Sequence, residues 1–189
     1  MRARGFTVIE MLVVCVLISV ILGTAWCLLF LGRRSWNQVA TRASLAVNAE
    51  VALERMRRDL QDSSSDGVTC TPNAVGFPCA RDPLSGIFQT NSQGQPIWQS
   101  YRVYYVDTHA VLRERQAPLP GTRALSAPDL LAMCDGTGHG VAYDIAGMTA
   151  TLAESQMTLS VACQAVTDAR TERLAAASVF SLRNSMGAP

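Results

Sequence analysis

The sequence predicts an α+β fold in which a long N-terminal α-helix packs on an antiparallel β-sheet. Three observations support this fold class. An apolar run opens the chain from Phe6 to Leu31, and an amphipathic pattern continues it without proline to Asp62. The remaining chain alternates short strand-like segments with clusters of Gly, Pro, Asn and Asp. Such alternation is typical of short antiparallel strands joined by turns.

Composition separates one oily segment from an ordinary domain. The 189 residues are 49% hydrophobic, and 16 basic against 15 acidic residues give a net charge of +1. This balance provides no general attraction to nucleic acid or to an acidic surface. The apolar excess is concentrated in residues 6–31, where the residues outside the apolar set are Thr7, Glu10, Ser19, Gly23 and Thr24. The rest of the chain has the composition of a folded domain.

The apolar segment has the length of one membrane span. As a helix, Met11 to Leu31 extends about 31 Å at ~1.5 Å per residue, against a hydrocarbon thickness of ~30 Å. A secretory signal peptide has a shorter apolar region followed by small residues at its cleavage site. Here Gly32-Arg33-Arg34 follows directly, so we expect no cleavage after the span.

The leader before the span carries a recognisable motif. It has the sequence Arg2-Ala3-Arg4-Gly5-Phe6-Thr7-Val8-Ile9-Glu10. Because Arg33 and Arg34 follow the span, charge alone leaves its orientation open. The leader and the apolar run together resemble the class III leader of type IV pilins and pseudopilins. The resemblance implies that prepilin peptidase cuts between Gly5 and Phe6 on the cytoplasmic side and methylates the new amino terminus at Phe6.

Glu10 is the informative acid of this segment. A carboxylate near the hydrocarbon costs about 2.5–3.5 kcal/mol even on the lenient insertion scale, so a compensating partner is expected. The resemblance implies that this partner is the terminal amine of Phe6 on an adjacent subunit, which sets the axial register of a filament. The alternative is an interfacial glutamate at the edge of an ordinary signal anchor.

The helix is predicted to continue over residues 32–62. Its charged face includes Glu54 and Arg58, a favourable i,i+4 pair, and the polar run from Ser63 to Gly67 ends it. We expect its apolar stripe to pack on the chain's own sheet, with a coiled-coil partner as the alternative. That stripe consists of Trp36, Val39, Ala43, Val47, Val51, Leu53, Met56 and Leu60.

Residues 63–189 are predicted to form the exported β-rich domain. The best strand is Pro96 to Asp107, with a turn at Asp107–His109 and a return over Ala110 to Arg115. Weaker or later candidates are Gly86 to Gln89, Gly140 to Ile145, Met157 to Ala165 and Ser178 to Arg183. The hairpin and the closing strands are similar to those of the J-type minor pseudopilins of type II secretion and the PilW-type minor pilins.

The six cysteines fall into two groups. Cys15 and Cys27 lie in the span and are interpreted as small apolar residues. Cys70, Cys79, Cys134 and Cys163 lie in the exported part, where disulfides form and four cysteines allow three pairings. The loop between the first two favours a Cys70–Cys79 bond, which leaves Cys134 with Cys163. A zinc site is the competing use, but no CxxC unit is present.

Catalytic and metal-binding patterns are missing from the sequence. It contains no Gly-x-Ser-x-Gly, no His-Glu-x-x-His and no phosphate-binding glycine loop. His109 falls in the predicted hairpin turn, and Asp135 and His139 fall in a glycine-rich connection without the repeated acids of a calcium loop. We therefore predict no enzyme activity, no cofactor and no bound metal.

Nucleic-acid binding stays open as an alternative. Arg102, Arg113 and Arg115 cluster with tyrosines on the predicted hairpin, as a basic surface with stacking aromatics would require. Asp107 and Glu114 dilute that cluster, which favours a solvated sheet face.

The resemblance implies a structural role as a minor, tip-associated or priming subunit of a type IV pilus or a type II secretion pseudopilus. Its partners would be prepilin peptidase, other major and minor pilins or pseudopilins, the inner-membrane assembly platform and, before assembly, membrane lipid. The chain would cross the cytoplasmic membrane once and export its C-terminal domain.

The alternatives are a competence pseudopilin for DNA uptake and a signal-anchored periplasmic protein unrelated to filaments. The sequence does not distinguish among the machines that use such subunits. It predicts a leader at 1–5, a span at 6–31, a helical continuation at 32–62 and the exported domain at 63–189.

Overall fold

A computed structural model describes residues 7–82, 85–118, 124–167 and 170–183. The chain divides into two compact units, Met1–Arg42 and Ala43–Pro189. One α-helix, α1 (Val8–Gln61), runs through both. It ends at the predicted polar run, where a short 3-10 turn follows over Ser65–Gly67. The predicted α+β architecture, a long N-terminal helix with antiparallel strands, is confirmed.

In the first unit the described residues belong almost entirely to α1, and their apolar side chains are exposed. Val8, Leu22 and Phe30 keep 83%, 64% and 65% of their surface accessible. An 18-residue window of this helix has a mean hydropathy of 2.7, and none of it is buried. The helix is therefore long and apolar enough to cross a membrane, and its side chains are left to contact something outside the chain.

The described strands of the second unit form two antiparallel sheets where one was predicted. The five-stranded sheet has the order β1-β2-β3-β4-β5, and the three-stranded sheet has the order β6-β7-β8. The strands of the first sheet are β1 (Thr69–Thr71), β2 (Ala74–Cys79), β3 (Ser100–Val106), β4 (Leu112–Pro118) and β5 (His139–Ala142). Those of the second are β6 (Ile145–Ala153), β7 (Gln156–Thr167) and β8 (Arg170–Ser181), and a short helix α2 covers Ala127–Ala132.

The predicted hairpin is confirmed as β3 and β4, paired from Ser100 opposite Pro118 to Val106 opposite Leu112. Strand β7 and the end of β8 were also predicted. The segment Gly140 to Ile145 is instead the end of β5 and the start of β6. Tyr143 and Asp144 separate the two strands, and Asp144 has a left-handed φ of 61°. The candidate at Gly86 to Gln89 was wrong, because only an isolated bridge between Arg81 and Phe88 forms there.

Strand β3 is buried on both faces. Tyr104 stacks on Phe77 with ring centroids 6.1 Å apart, in the core cluster that also contains the buried face of α1. Tyr101, Val103 and Tyr105, on the other parity, form a second cluster with Leu125 and Leu130 beside α2. The alternation in the sequence correctly separates the two faces, but both face protein instead of one facing water.

The buried face of α1 differs in part from the predicted stripe. Leu53, Met56 and Leu60 are buried as expected, whereas Val47 and Val51 remain 58% and 46% exposed. The packed face is completed by Leu45, Ala49 and Ala52. At about 100° per residue these alanines lie on the side opposite Val47. The sequence is apolar on both sides of this segment, so periodicity alone did not select the face that packs.

Asn73 joins the two sheets at the turn between β1 and β2. Its φ is 60°, a left-handed value that asparagine tolerates better than most residues. Its backbone N–H donates to the Met148 carbonyl at 3.1 Å, and its Oδ1 accepts from the Met148 N–H at 2.9 Å. Its own carbonyl accepts from the Val106 N–H at 2.9 Å. One turn residue thus contacts β3 and β6 together.

A buried charge network attaches α1 to the first sheet. Asp59 is 5% exposed and forms an ion pair with Arg102 on β3. The Tyr104 hydroxyl donates to Asp59 Oδ2 at 2.6 Å and lies 3.2 Å from Glu114 Oε2. Arg55 reaches the same carboxylate of Glu114 at 3.2 Å. Charged groups from the helix and from two strands therefore neutralise each other in one place.

The guanidinium of Arg102 is only partly satisfied in this network. Its Nε lies 3.2 Å from Glu114 Oε1, but the N–H is not aimed at that oxygen and makes no hydrogen bond. Burial opposes the charge of Arg102, but the carboxylates of Asp59 and Glu114 still raise its pKa.

The ion pair predicted between Glu54 and Arg58 is replaced by a pair between Glu54 and Arg57, whose charged atoms lie 2.8 Å apart.

Tyr104 makes the stability of this domain depend on pH. Burial, reinforced by the charges of Asp59 and Glu114, raises the pKa of Tyr104 well above its ordinary value. The hydroxyl therefore contributes stability that is complete below about pH 10, where an unfolded tyrosine is also protonated, and that is lost as pH rises further. We expect the free energy of unfolding of the wild type to fall relative to Tyr104→Phe by about 1.4 kcal/mol per pH unit above pH 10.

The measurement is urea unfolding of the full chain in detergent across about pH 9 to 11. Tyr143→Phe is the matched control, because Tyr143 is 61% exposed and its removal should leave the pH profile unchanged. A constant difference between wild type and Tyr104→Phe over this range would contradict the prediction.

Candidate functional site at the amino-terminal segment

The predicted processing site lies outside the described residues. Cleavage after Gly5 and N-methylation of Phe6 therefore remain predictions. The adjoining residues from Thr7 onward are described, and they include Glu10, the acid predicted to direct assembly.

Thr7 and Glu10 form a capping box at the start of α1. The Glu10 N–H donates to Thr7 Oγ1 at 3.3 Å, and the Thr7 N–H donates to Glu10 Oε2 at 2.9 Å. The Thr7 hydroxyl also donates to Glu10 Oε2 at 3.0 Å. Two backbone donors at the helix start, which have no partner within the helix, are satisfied reciprocally.

The capping box gives Glu10 a partner within its own chain. The carboxylate also lies at the positive end of the helix dipole, which favours its charged form. Its side chain is exposed, so the oxygens can accept further donors from outside. The spacing Thr7-x-x-Glu10 is typical of a capping box and is the sequence signal for this contact. The family resemblance assigned Glu10 a partner on another subunit only.

The predicted Cys70–Cys79 disulfide is wrong. All six cysteines lie in the described part of the chain, and all are free thiols. The segment expected to be a loop is the β1–β2 hairpin, in which Cys70 lies opposite Val75. Cys79 is four residues farther along β2, roughly 13 Å away at ~3.3 Å per residue, whereas a disulfide needs Cα atoms within about 7 Å.

The second pairing, between Cys134 and Cys163, is likewise not formed. Cys134 packs against the cluster beside α2, while Cys163 is buried in the larger core opposite Ile145. Burial raises the pKa of both thiols and of Cys70. These cysteines therefore have the environment of packed apolar side chains, without the activation that a reactive thiolate needs.

The arginines of the predicted basic patch are all ion-paired. Arg102 pairs with Asp59 inside the domain. Arg113 Nε lies 2.6 Å from Asp107 Oδ2, and the Arg115 guanidinium lies 2.6 Å from Asp135 Oδ2. Each guanidinium has a carboxylate of its own, which leaves little charge for a phosphate backbone.

The histidines and the glycine-rich loop show no metal site. Within the described residues no three His, Cys, Asp or Glu side chains come together as metal ligands would. Hydrogen bonds from the hydroxyl and N–H of Thr137, together with Arg115, lower the pKa of Asp135 to about 2. This acid anchors its loop to β4.

Comparison with known proteins gives one match. Residues 1–26 match the family model described as the prokaryotic N-terminal methylation motif. No curated protein and no solved structure matches the chain significantly. The match covers the leader and most of the span, and it supports a type IV pilin-like precursor with a membrane-anchoring N-terminal helix. Such a motif implies processing by prepilin peptidase and assembly with other pilins. It distinguishes no subtype.

We expect Thr7→Val to loosen the first turn of α1, because valine keeps the shape of threonine but accepts no hydrogen bond. Loss of an N-cap acceptor costs about 1 kcal/mol, which corresponds to roughly fivefold faster amide exchange if the turn opens locally. Hydrogen exchange of the full chain in micelles, read at the Glu10 amide, measures this.

Thr7→Ser keeps the hydroxyl and serves as the control, with exchange close to that of the wild type. Equal exchange in Thr7→Val and Thr7→Ser would show that the capping box does not stabilise the helix start.

Proposed function

We propose that this protein is the precursor of a minor pilin or pseudopilin, a structural subunit of a type IV pilus or of a type II secretion pseudopilus. The observation that carries the proposal is the methylation motif over residues 1–26, continued by a helix to Gln61. A second unit with its own core completes the architecture expected of such a subunit.

The proposed maturation begins at the leader. Prepilin peptidase removes residues 1–5 and methylates the amine of Phe6. The mature chain then starts one residue before the capping threonine, so its new amine lies next in sequence to the Thr7–Glu10 pair. The exposed side of the Glu10 carboxylate accepts the amine of an adjacent subunit, and the two charges set the axial register of the filament.

The minor, tip-associated or priming role is proposed from the resemblance of the sequence over the hairpin and the closing strands to the J-type and PilW-type minor subunits. A competence pseudopilin is the second candidate. The structure favours it less as a DNA-binding subunit, because the hairpin arginines are paired with Asp59, Asp107 and Asp135.

Mass spectrometry of the protein isolated from its native membrane tests the proposal. We expect a mature N-terminal peptide that starts at Phe6 and carries one added methyl group. An intact Met1 would mean that the chain is a signal-anchored protein outside the pilin pathway.

Glu10→Gln tests the assembly step separately. We expect normal cleavage and methylation but a loss of at least tenfold from sheared filament fractions, because glutamine can still cap the helix but cannot neutralise an incoming amine. Immunoblots of sheared and membrane fractions measure incorporation. Glu50→Gln, at an exposed glutamate of the same helix, is the control and should assemble normally. Equal incorporation of the two variants would remove the proposed role of the Glu10 charge.

A further inference from the structure

Arg33 and Arg34 are a dibasic pair to which neither the fold nor the assembly step gives a role. Both are exposed on α1. Neither has an ion-pair or hydrogen-bond partner among the described residues, unlike the arginines of the β3–β4 hairpin. Two adjacent guanidinium groups without a carboxylate raise the question of which anion they meet.

Their position along α1 places them at a membrane boundary. Between Glu10 and Arg33 the helix rises about 34 Å, at ~1.5 Å per residue, and the hydrocarbon layer is ~30 Å thick. When Glu10 lies at one interface, the dibasic pair lies in the headgroup layer of the other. Before leader removal Arg2 and Arg4 are also present. In the mature sequence, Arg33 and Arg34 are the first basic side chains.

Aromatic residues surround the pair on the same helix. Trp26 and Phe30 are 74% and 65% exposed, and Trp36 is 75% exposed. Phe30 precedes Arg33 and Arg34 by three and four residues, and Trp26 precedes Arg33 by seven, so both lie on the face of the pair. Tryptophan concentrates at membrane–water interfaces, where the ring contacts acyl chains and the indole N–H contacts headgroups.

We propose that Arg33 and Arg34 bind the phosphates of anionic lipid headgroups at the C-terminal end of the span, with Trp36 seated in the same interface. This inference rests on the proposed function only for the statement that this end faces the exported side. A planar guanidinium binds a phosphate through two parallel N–H donors, and the attraction is about 1 kcal/mol per arginine near an anionic surface. The pair thereby fixes the depth of the span and keeps Glu10 at the opposite interface until the subunit leaves the membrane.

The test is lipid selectivity of the full chain. Wild-type protein is reconstituted into nanodiscs of phosphatidylcholine mixed with phosphatidylglycerol, and native mass spectrometry measures the ratio of the two lipids that stay bound. We expect enrichment of phosphatidylglycerol that falls in R33Q/R34Q by roughly fivefold per arginine at low salt and that weakens as salt is added. R33K/R34K keeps the charge and should keep most of the enrichment.

The control is R57Q/R58Q, which removes a second adjacent pair of arginines from the same helix, in the globular unit. We expect it to retain phosphatidylglycerol as the wild type does. Equal enrichment in R33Q/R34Q and R57Q/R58Q would overturn the proposal. If R33Q/R34Q and R57Q/R58Q show equal lipid enrichment and R33Q/R34Q is also lost from filaments, Arg33 and Arg34 bind carboxylates of a neighbouring subunit instead of lipid, which would overturn the proposal too.

Failure of this inference is distinguishable from failure of the proposed function. The lipid comparison is made between variants that share the same N-terminus, so it gives the same difference whether Met1 is retained or Phe6 is methylated. The mass of the N-terminal peptide, measured on the same preparation, reports the proposed function independently.

Discussion

The ion pair between Asp59 and Arg102 is the interaction on which the globular unit depends. It connects the last turns of α1 to β3, the central strand of the five-stranded sheet, whose two faces lie in different cores. Removing one partner of a buried pair costs about 3–5 kcal/mol, because the other charge is left without compensation. An apolar pair in place of Asp59 and Arg102 could pack equally well. Tyr104 contacts Asp59, and Glu114 lies beside Arg102, so the two charges have one arrangement, and this arrangement fixes the rotation of α1 against the sheet.

This network also determines which charges are available to other molecules. The hairpin arginines are held by carboxylates of the same unit, so a cluster that resembles a nucleic-acid surface in sequence is neutral in structure. Among the residues that the structure describes, Arg33 and Arg34 have no such partners. The near-zero net charge of the chain is therefore the sum of two different distributions: arginines paired with carboxylates in the globular unit, and a basic pair without such a carboxylate among the described residues at the end of the span.

The sequence predicted the elements that local pattern defines. The length of α1, its end at the polar run and the β3–β4 hairpin follow from periodicity and turn residues. The β1–β2 hairpin was missed because Cys70, Pro72, Gly76 and Cys79 resemble a disulfide loop, whereas the left-handed Asn73 closes a turn that β6 supports from outside. The buried role of Asp59 was also missed, since Arg102 is 43 positions away and only the fold brings them together. The Thr7–Glu10 capping box was local and could have been predicted from its spacing.

Under the proposed function, Glu10 links the stability of the helix start to filament assembly. In the single chain its carboxylate accepts the Thr7 N–H and hydroxyl, so a membrane-inserted subunit does not carry an unsatisfied acid while it waits for a partner. Hydrogen bonds to one oxygen leave the negative charge in place, and in a medium of low dielectric that charge attracts a cation strongly. The capped carboxylate is thus tolerable alone and still favours a neighbouring amine. An uncharged hydrogen-bonding side chain would meet the first requirement and fail the second, which explains why an acid suits this position.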